Sequence, residues 1–452
     1  MTVVFSKTGI RGEAGKYPLE PISLVRLGMI IAKVFRENNN SPLSFVIGRD
    51  TRVSSYMITN ALTSGLLAGG ANVVLVGVEP TPAIVYFGKS FRACASIAVT
   101  ASHNPYQDNG LKLFLSDGNR ISDDMQKKID ELLQSDAKFE VARELGKIIK
   151  IEDADGRYIE YLKSFFPNDF NLRDFKIGLD VANGACYKVA EKLFTELGAN
   201  IEIRGNKPNG KNINAGFGSV YPEVVAKLVV DNSLDLGIAV DGDGDRVVMV
   251  TSDGKILDGD ALLAIIGSTL KEMGKLNSNI NTNVIVANVM SNLGLDLFLK
   301  NHGVAVKRSN VGEVPVLNEM KKNDASVGGE QSGHIIFKDG GNSGDALLAS
   351  LKILEIMKTT NKSLKELKRD YKGFPQCLKN LSVASKPEIE EIKGYAKLKE
   401  DIENEFKEDG RILIRYSETE NKIRIMVEHK DESVCKKALE KLVIFFEEKI
   451  GI

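Results

Sequence analysis

Tryptophan is absent from this chain of 452 residues, which also holds 4 cysteines and 4 histidines. Cys94, Cys186, Cys377 and Cys435 stand far apart with no Cys-x-x-Cys pair. That spacing argues against a structural zinc site or a disulfide framework and for small buried thiols. An excess of one charge is lacking too: 60 Lys and Arg against 61 Asp and Glu leave a formal net charge of −1. No nucleic-acid-binding face is therefore expected, and an anionic ligand would have to be held by a local cluster of cations. No apolar run approaches the ~18–20 residues that span a bilayer. The opening Met1-Thr-Val-Val-Phe-Ser-Lys-Thr8 lacks the charged and apolar blocks of a signal peptide. The expectation is a cytoplasmic protein with no membrane partner. What remains is ordinary for a soluble globular chain, with 43% hydrophobic and 27% charged residues. The length implies three or four domains.

Strand and helix patterns alternate in three successive copies. In the first, a β-rich run over 44–48 is followed by a helical stretch over 54–68, a strand over 72–77, a helix from Pro82 and a strand over 94–99. That strand runs into Thr100-Ala-Ser-His-Asn-Pro105. The second copy has a strand over 176–181, a turn at Asn183-Gly184, a helix ending near Gly198, another strand and a helix from Pro222. Its strand over 235–240 delivers Asp241-Gly-Asp-Gly-Asp-Arg246. The third has a strand over 283–289, a helix to Asn301, a strand over 304–306 and a helix from Gly312. A short strand near 325–327 delivers Gly328-Gly-Glu-Gln-Ser-Gly-His334. Such alternation argues for buried, largely parallel sheets, whose ligands collect beyond the carboxyl ends of strands. All three polar loops lie at that end of a strand. The C-terminal part differs: strands over 411–416 and 422–429 flank a polar turn, and a helix over 432–449 closes the chain. The fold class expected is α/β, with three related α/β domains on mixed, largely parallel sheets and a C-terminal α+β domain. The expected boundaries are 1–152, 153–253, 254–366 and 367–452. The polar stretch 359–373 reads as a linker, and 153–166, helical in period, as the joint between the first two domains.

The chemistry sits in the loops. Asp241, Asp243 and Asp245 alternate with glycines that allow a sharp turn. Three converging carboxylates repel unless a cation neutralises them, and all-oxygen ligation suits Mg²⁺ or Ca²⁺. An EF-hand is excluded, because Arg246 and Ser252 stand where it needs Gly and Glu, and the loop follows a strand. Mg²⁺ keeps positions for phosphate oxygens, which a phosphorylated Ser102 would supply. Ser102-His103 as a hydrolase nucleophile and base is disfavoured, since adjacent loop residues seldom face each other and no G-x-S-x-G elbow is present. Lys112, ten residues after Ser102, is a candidate to neutralise phosphate charge or carry a proton, the alternative being a surface lysine. Glu330 and Ser332 could grip two neighbouring sugar hydroxyls. His334 is either an acid–base group or a satisfied buried histidine, and His302 and His429 read as structural. In Arg415-Tyr-Ser-Glu-Thr-Glu-Asn-Lys-Ile-Arg424, two arginines and two hydroxyls make a phosphate cradle or a plain charged hairpin.

Four motifs, TASHNP, DGDGDR, GGEQSGH and RYSETENKIR, occur in the order found in the α-D-phosphohexomutase superfamily and span nearly the whole chain, which therefore resembles that family. The resemblance implies four domains around a central cleft. It also implies a phospho-Ser102 that donates to a sugar monophosphate, forms a 1,6-bisphosphate, and takes back the other phosphate. It places Mg²⁺ on Asp241, Asp243, Asp245 and the phosphoserine, with a hexose 1,6-bisphosphate as activator. Arg11 and Arg246 neutralise charge at the transferring group beside His103, and Lys112 and His334 act in proton transfer. Glu330 and Ser332 bind the sugar, and Arg415, Ser417, Thr419 and Arg424 hold the phosphate that is not reacting. A homodimer is what the family suggests. The longer strings SHNPYQDNGLKLFLSDGN, DVANGACYKVA, GNKPNGKNINAGFGS, VMSNLGLDLFLK and GGEQSGHIIF resemble the branch that interconverts glucosamine 6-phosphate and glucosamine 1-phosphate, a step toward UDP-N-acetylglucosamine. The rival branch acts on mannose and glucose phosphates and commonly has Met where Gln331 stands. A rival of another class is a sugar-phosphate sensor without catalysis, against which intact Ser102, Lys112 and three aspartates argue. The chain departs from the family pattern at Ser6-Lys-Thr8, at Glu313 where Asp is frequent, and at Glu418 and Asn421 where Gly and Pro are usual.

Overall fold

A computed structural model of the chain describes residues 5–6, 9–37, 42–276, 283–417 and 421–451. It divides into two compact units, one of Met1–Val289 with Val306–Arg369, the other of Met290–Ala305 with Asp370–Ile452.

The first unit is built on three sheets that repeat one strand order. In the first sheet, the parallel strands Asn72–Val78, Ser44–Arg49 and Ala95–Val99 lie side by side, and Asp108–Leu115 returns antiparallel against Ala95–Val99. The second sheet repeats this with Asn200–Arg204, Lys176–Asp180, Leu236–Val240 and the antiparallel return Val247–Thr251. The third does so with Ala305–Ser309, Val284–Asn288, Val327–Gly329 and the antiparallel return Ile335–Phe337. Every residue of Ala95–Val99, Leu236–Val240 and Val327–Gly329 is buried. That is the environment that continuous apolar runs serve in sheets covered on both faces. Each polar loop is thus the connection from the last parallel strand to its antiparallel neighbour. The return strands were not part of the sequence expectation, which assigned no element to 108–112.

One further expectation changes and one helical reading is matched. The stretch 359–373 holds the helix Leu364–Lys368, opened by a reciprocal capping box between Ser363 and Glu366 and pinned by buried Leu364 and Leu367. Polar composition hid it because only two side chains in it point inward. The joint over 153–166 contains the helix Ala154–Lys163, whose Tyr158 hydroxyl donates to Asp345 Oδ2 at 2.6 Å.

The second unit pairs Gln376–Ser382, Lys422–His429 and Gly410–Tyr416 in one antiparallel sheet. The helices Tyr395–Phe406 and Glu432–Ile450 pack on it around a core that includes Ile402, Phe406, Ile425, Leu442 and Phe446. The helix Leu293–Asn301 belongs to this unit: Leu293 N–H donates to Glu428 Oε2 at 3.0 Å, and Asn292 Nδ2 donates to the Phe374 carbonyl at 3.0 Å. Among the described residues no helix is long and apolar enough to cross a membrane.

Candidate active site

Ser102 follows the strand Ala95–Val99 in a turn that puts it at φ +52°, a left-handed conformation uncommon for serine. Its amide donates to Thr100 Oγ1 at 2.9 Å, and its hydroxyl, buried with the residue, donates to Asp241 Oδ2 at 2.7 Å. The same turn brings Ser102 Oγ to 3.3 Å from His103 Nδ1, so these neighbours do approach, contrary to the expectation for adjacent loop residues. A relay through His103 is still not set up. The hydroxyl proton is directed at Asp241, and His103 Nδ1 faces Arg246 Nη1 at 3.2 Å. Burial, then the charges of Arg246 and Arg11, lower the His103 pKa to about 4, which leaves a neutral ring that can accept from Arg246.

The three aspartates converge as their spacing suggested: each offers a carboxylate oxygen, all within 4.8 Å of one another, and all three residues are buried. The two glycines contribute differently. Gly244 carries the turn at φ +71°. Gly242 is needed for space, since a Cβ there would come 2.7 Å from the Ser102 carbonyl. Lys112 lies on the return strand Asp108–Leu115, not in a loop, and is buried. Its ammonium donates to Asp243 Oδ2 and Asp245 Oδ2, both at 2.7 Å. Thr81 Oγ1 adds a bond to Asp243 Oδ2 at 2.5 Å, and Asp241 Oδ1 accepts from the Asp245 and Arg246 amides at 3.1 and 3.2 Å. Burial, then the neighbouring Asp245 and Asp243, push the Asp241 carboxyl well above its ordinary range. Burial would raise Asp245 as well, but Lys112, then His334 and Arg246, hold it well below. Burial opposes the charge on Lys112, and Asp243 and Asp245 outweigh it and raise its pKa. Asp243 Oδ1 and Asp245 Oδ1 are buried without a hydrogen-bond partner. Two orphaned acceptors in a triad of oxygens fit a hard divalent cation, so these residues can hold a metal ion.

The third loop meets this cluster through His334. Its Nδ1 lies 3.8 Å from Asp245 Oδ1 and its Nε2 3.5 Å from Glu313 Oε1. The Gly344 amide, 3.2 Å from Nε2, would suit a neutral ring. Two flanking carboxylates outweigh one amide, and although burial opposes the charge, the neighbouring Asp245 and Glu313 raise the pKa to about 10. Glu313 also lies 3.7 Å from the half-buried Arg120 Nε. Glu330 is held hard: Oε1 accepts from Asn288 Nδ2 at 2.8 Å and the Gly312 amide at 2.9 Å, and Oε2 accepts from Ser332 Oγ at 3.2 Å. Ser332 is exposed. Arg11 Nη1 donates to Asn104 Oδ1 at 3.3 Å, beside the Ser102 turn.

In the second unit, Arg415 and Arg424 are direct partners across the ladder. Ser417 is buried and its carbonyl accepts from Lys386 Nζ at 2.9 Å. Thr419 and Glu418 lie outside the described residues, as do Lys7 and Thr8.

The sequence reading missed Arg52, Thr81, Arg120, Asn214 and Asn288 and took Glu313 only as a departure. Two had a signal. Arg52 sits in Arg49-Asp-Thr-Arg52 at the carboxyl end of a strand, the end where sites form. Asn214 lies in the Gly- and Asn-rich string 205–218, a composition that marks loops.

A nucleophilic hydroxyl bonded to a carboxylate triad, with buried cations around it, at the carboxyl ends of repeated α/β sheets defines a phosphoryl-transfer enzyme of the phosphohexomutase class. Family models described as phosphoglucomutase/phosphomannomutase α/β/α domains I, II and III and C-terminal domain match residues 2–140, 156–254, 258–374 and 378–443. The chain belongs to this family, the α-D-phosphohexomutases, and so to the isomerases that move a phosphoryl group within one molecule. It is similar to the phosphoglucosamine mutase of Syntrophotalea carbinolica, 42% identical over 99% of this chain and 98% of the relative. It is also similar to that of Geotalea daltonii, 44% identical over 100% and 99%. Among solved structures, a phosphoglucomutase/phosphomannomutase family protein from Burkholderia thailandensis superposes with a TM-score of 0.79 at 24% identity, covering 100% of this chain and 99% of that one. Aspergillus fumigatus N-acetylphosphoglucosamine mutase, in complex with GlcNAc-6P and magnesium, does so at 0.67 and 16% over 98% and 95%. These two likenesses speak to the fold alone.

Proposed function

We propose that the chain interconverts glucosamine 6-phosphate and glucosamine 1-phosphate through a phosphorylated Ser102. The observation that carries the chemistry is the 2.7 Å hydrogen bond from Ser102 Oγ to Asp241 within the buried aspartate triad. The similarity to phosphoglucosamine mutases over the whole chain carries the sugar. In the reaction the phosphorus–Oγ bond of phospho-Ser102 breaks as a sugar hydroxyl oxygen bonds to phosphorus and loses its proton. The resulting 1,6-bisphosphate turns over, and its other phosphoryl group moves to Ser102 Oγ. A hexose 1,6-bisphosphate would recharge a dephosphorylated enzyme.

Asp241, Asp243 and Asp245 would hold Mg²⁺ with a phosphoserine oxygen. When bound, the ion supplies positive charge to the transferring group. Arg246 and Arg11 oppose charge on the same oxygens. Neutral His103 serves as the acceptor that aims Arg246. Lys112, held between two carboxylates, and His334, charged between Asp245 and Glu313, both carry a proton, which either would give to the departing Ser102 Oγ and regain from the sugar hydroxyl. Glu330 and Ser332 receive sugar hydroxyls. Arg415, Ser417, Thr419 and Arg424 bind the phosphate that does not react; the register that pairs Arg415 with Arg424 supports this by bringing two cationic side chains to one place on the ladder.

A coupled assay on glucosamine, mannose and glucose 6-phosphates tests the sugar. The expected result is a preference for glucosamine 6-phosphate, and a preference for either of the others overturns that assignment. Intact-mass measurement tests the phosphoserine: one added phosphate on Ser102 is expected after incubation with bisphosphate and Mg²⁺.

A further inference from the structure

Arg52 is fully buried although the reaction gives it no part. Its Nε donates to Asp50 Oδ2 at 2.8 Å, which settles its charge. The rest of the guanidinium is spent on the backbone of one turn. Nη2 donates to the Ser102 carbonyl at 2.9 Å and the Asn104 carbonyl at 2.8 Å, and Nη1 donates to the Pro105 carbonyl. From the second sheet's loop, Asn214 Nδ2 reaches the same two carbonyls, Ser102 at 2.9 Å and Asn104 at 3.1 Å. Asn214 is itself fixed, at φ +58° with its amide on the Ala182 carbonyl at 2.8 Å. The two loops are joined further by Thr51 Oγ1 on the Asn183 carbonyl at 2.6 Å and the Val53 amide on the Gly210 carbonyl at 2.9 Å.

We propose that Arg52 and Asn214 are positioning residues that clamp the Ser102 and Asn104 carbonyls from two sides and so keep Ser102 in the left-handed conformation that aims its hydroxyl at Asp241. The proposal rests on the phosphoserine reading above. A left-handed serine persists only where its surroundings impose it, and four hydrogen bonds on two carbonyls impose it here. One half of the clamp comes from each sheet's loops, so the nucleophile is aligned only when both are in place. Neither residue takes part in proton or phosphoryl movement; each acts through the turn.

The test uses the full chain with Asn214→Ala, Asn214→Asp and Arg52→Lys. Asn214→Asp keeps the size of the side chain and removes the donor. Arg52→Lys leaves Asp50 a cation but cannot span the carbonyls. The first readout is the rate at which glucose 1,6-bisphosphate and Mg²⁺ phosphorylate Ser102, followed by intact mass, which does not depend on which monophosphate the enzyme prefers. The others are kcat, KM and the thermal midpoint. All three variants are expected to slow Ser102 phosphorylation and kcat by about 10–100-fold, with KM within about twofold of the parent and a cooperative thermal transition retained. A parent-like phosphorylation rate in Asn214→Asp and Arg52→Lys overturns the clamp, as does a loss that appears in KM instead of kcat. The phosphoserine reading fails separately, if Ser102→Ala turns over normally.

Discussion

The turn at Ser102 and the hairpin at Arg415–Arg424 handle charge in opposite ways. Around Ser102 the charges are buried and matched: Lys112 lies between Asp243 and Asp245, His334 between Asp245 and Glu313, and Arg52 against Asp50. On the hairpin two arginines stand directly opposite each other, with Arg424 exposed. A transferring group passes through its most charged state for an instant, so its surroundings must be fixed beforehand, in a place where charges act strongly. A spectator phosphate is a lasting ligand that a pair of arginines can hold by charge-assisted hydrogen bonds. Buried matching suits chemistry, and facing like charges suit binding.

The comparison breaks most sharply at Ser102. Ser102→Ala is expected to cut turnover by at least ~10³-fold, equivalent to ~4 kcal/mol of barrier, with the fold intact by circular dichroism. Lys112→Met comes next. Loss of a proton carrier is expected to lower kcat by about 10²-fold. It also leaves Asp243 and Asp245 buried without their cation, so the thermal midpoint should fall. Adding Mg²⁺ should raise that midpoint more in the variant than in the parent, because the ion replaces a lost charge. An equal Mg²⁺ shift in both proteins would mean that the lysine and the metal do not share the triad. Arg415→Ala should leave kcat nearly unchanged and raise KM by about 10-fold, the size of a lost charge-assisted hydrogen bond. If kcat falls instead, the hairpin is part of the chemistry and the contrast collapses.

Much of this layout was legible in the sequence, for a local reason. A strand ending in a polar turn is written in consecutive residues, so Ser102, the aspartate triad and Glu330 could be read with their place at strand ends. The partners were not legible, because they depend on pairing across the chain. Lys112 reads as a surface lysine until the antiparallel return strand turns it inward. Glu313 reads as a departure until His334 and Arg120 are seen on either side of it. Arg52 and Asn214 are separated by 162 positions, the difference of their numbers, yet donate to the same two carbonyls. The helix Leu364–Lys368 was hidden because its buried face is two leucines wide.

The smallest effect on catalysis is expected at a carboxyl group that burial keeps protonated at neutral pH. Glu79 follows the strand Asn72–Val78, is buried, and leaves Oε2 without a hydrogen-bond partner. Burial first, then Asp155, raise its pKa to about 8, with Lys192 and Lys188 pulling the other way. The folded state therefore binds this proton more tightly than the unfolded state does. Stability from this group is fully present below the ordinary carboxyl pKa, is lost as pH climbs from there, and levels off above about 8. Glu79→Gln carries no ionisable group and escapes that loss. Its thermal midpoint should match the parent's at about pH 4, exceed it increasingly towards pH 8, and hold a constant margin beyond, the full shift being on the order of 4 kcal/mol. Turnover at pH 7 should be unchanged, since Glu79 has no part in the proposed transfer. A margin that does not vary with pH would mean that Glu79 is not the group losing its proton. A loss of turnover would mean that an unmatched buried carboxyl group belongs to the chemistry after all, against the rule that the Ser102 turn follows.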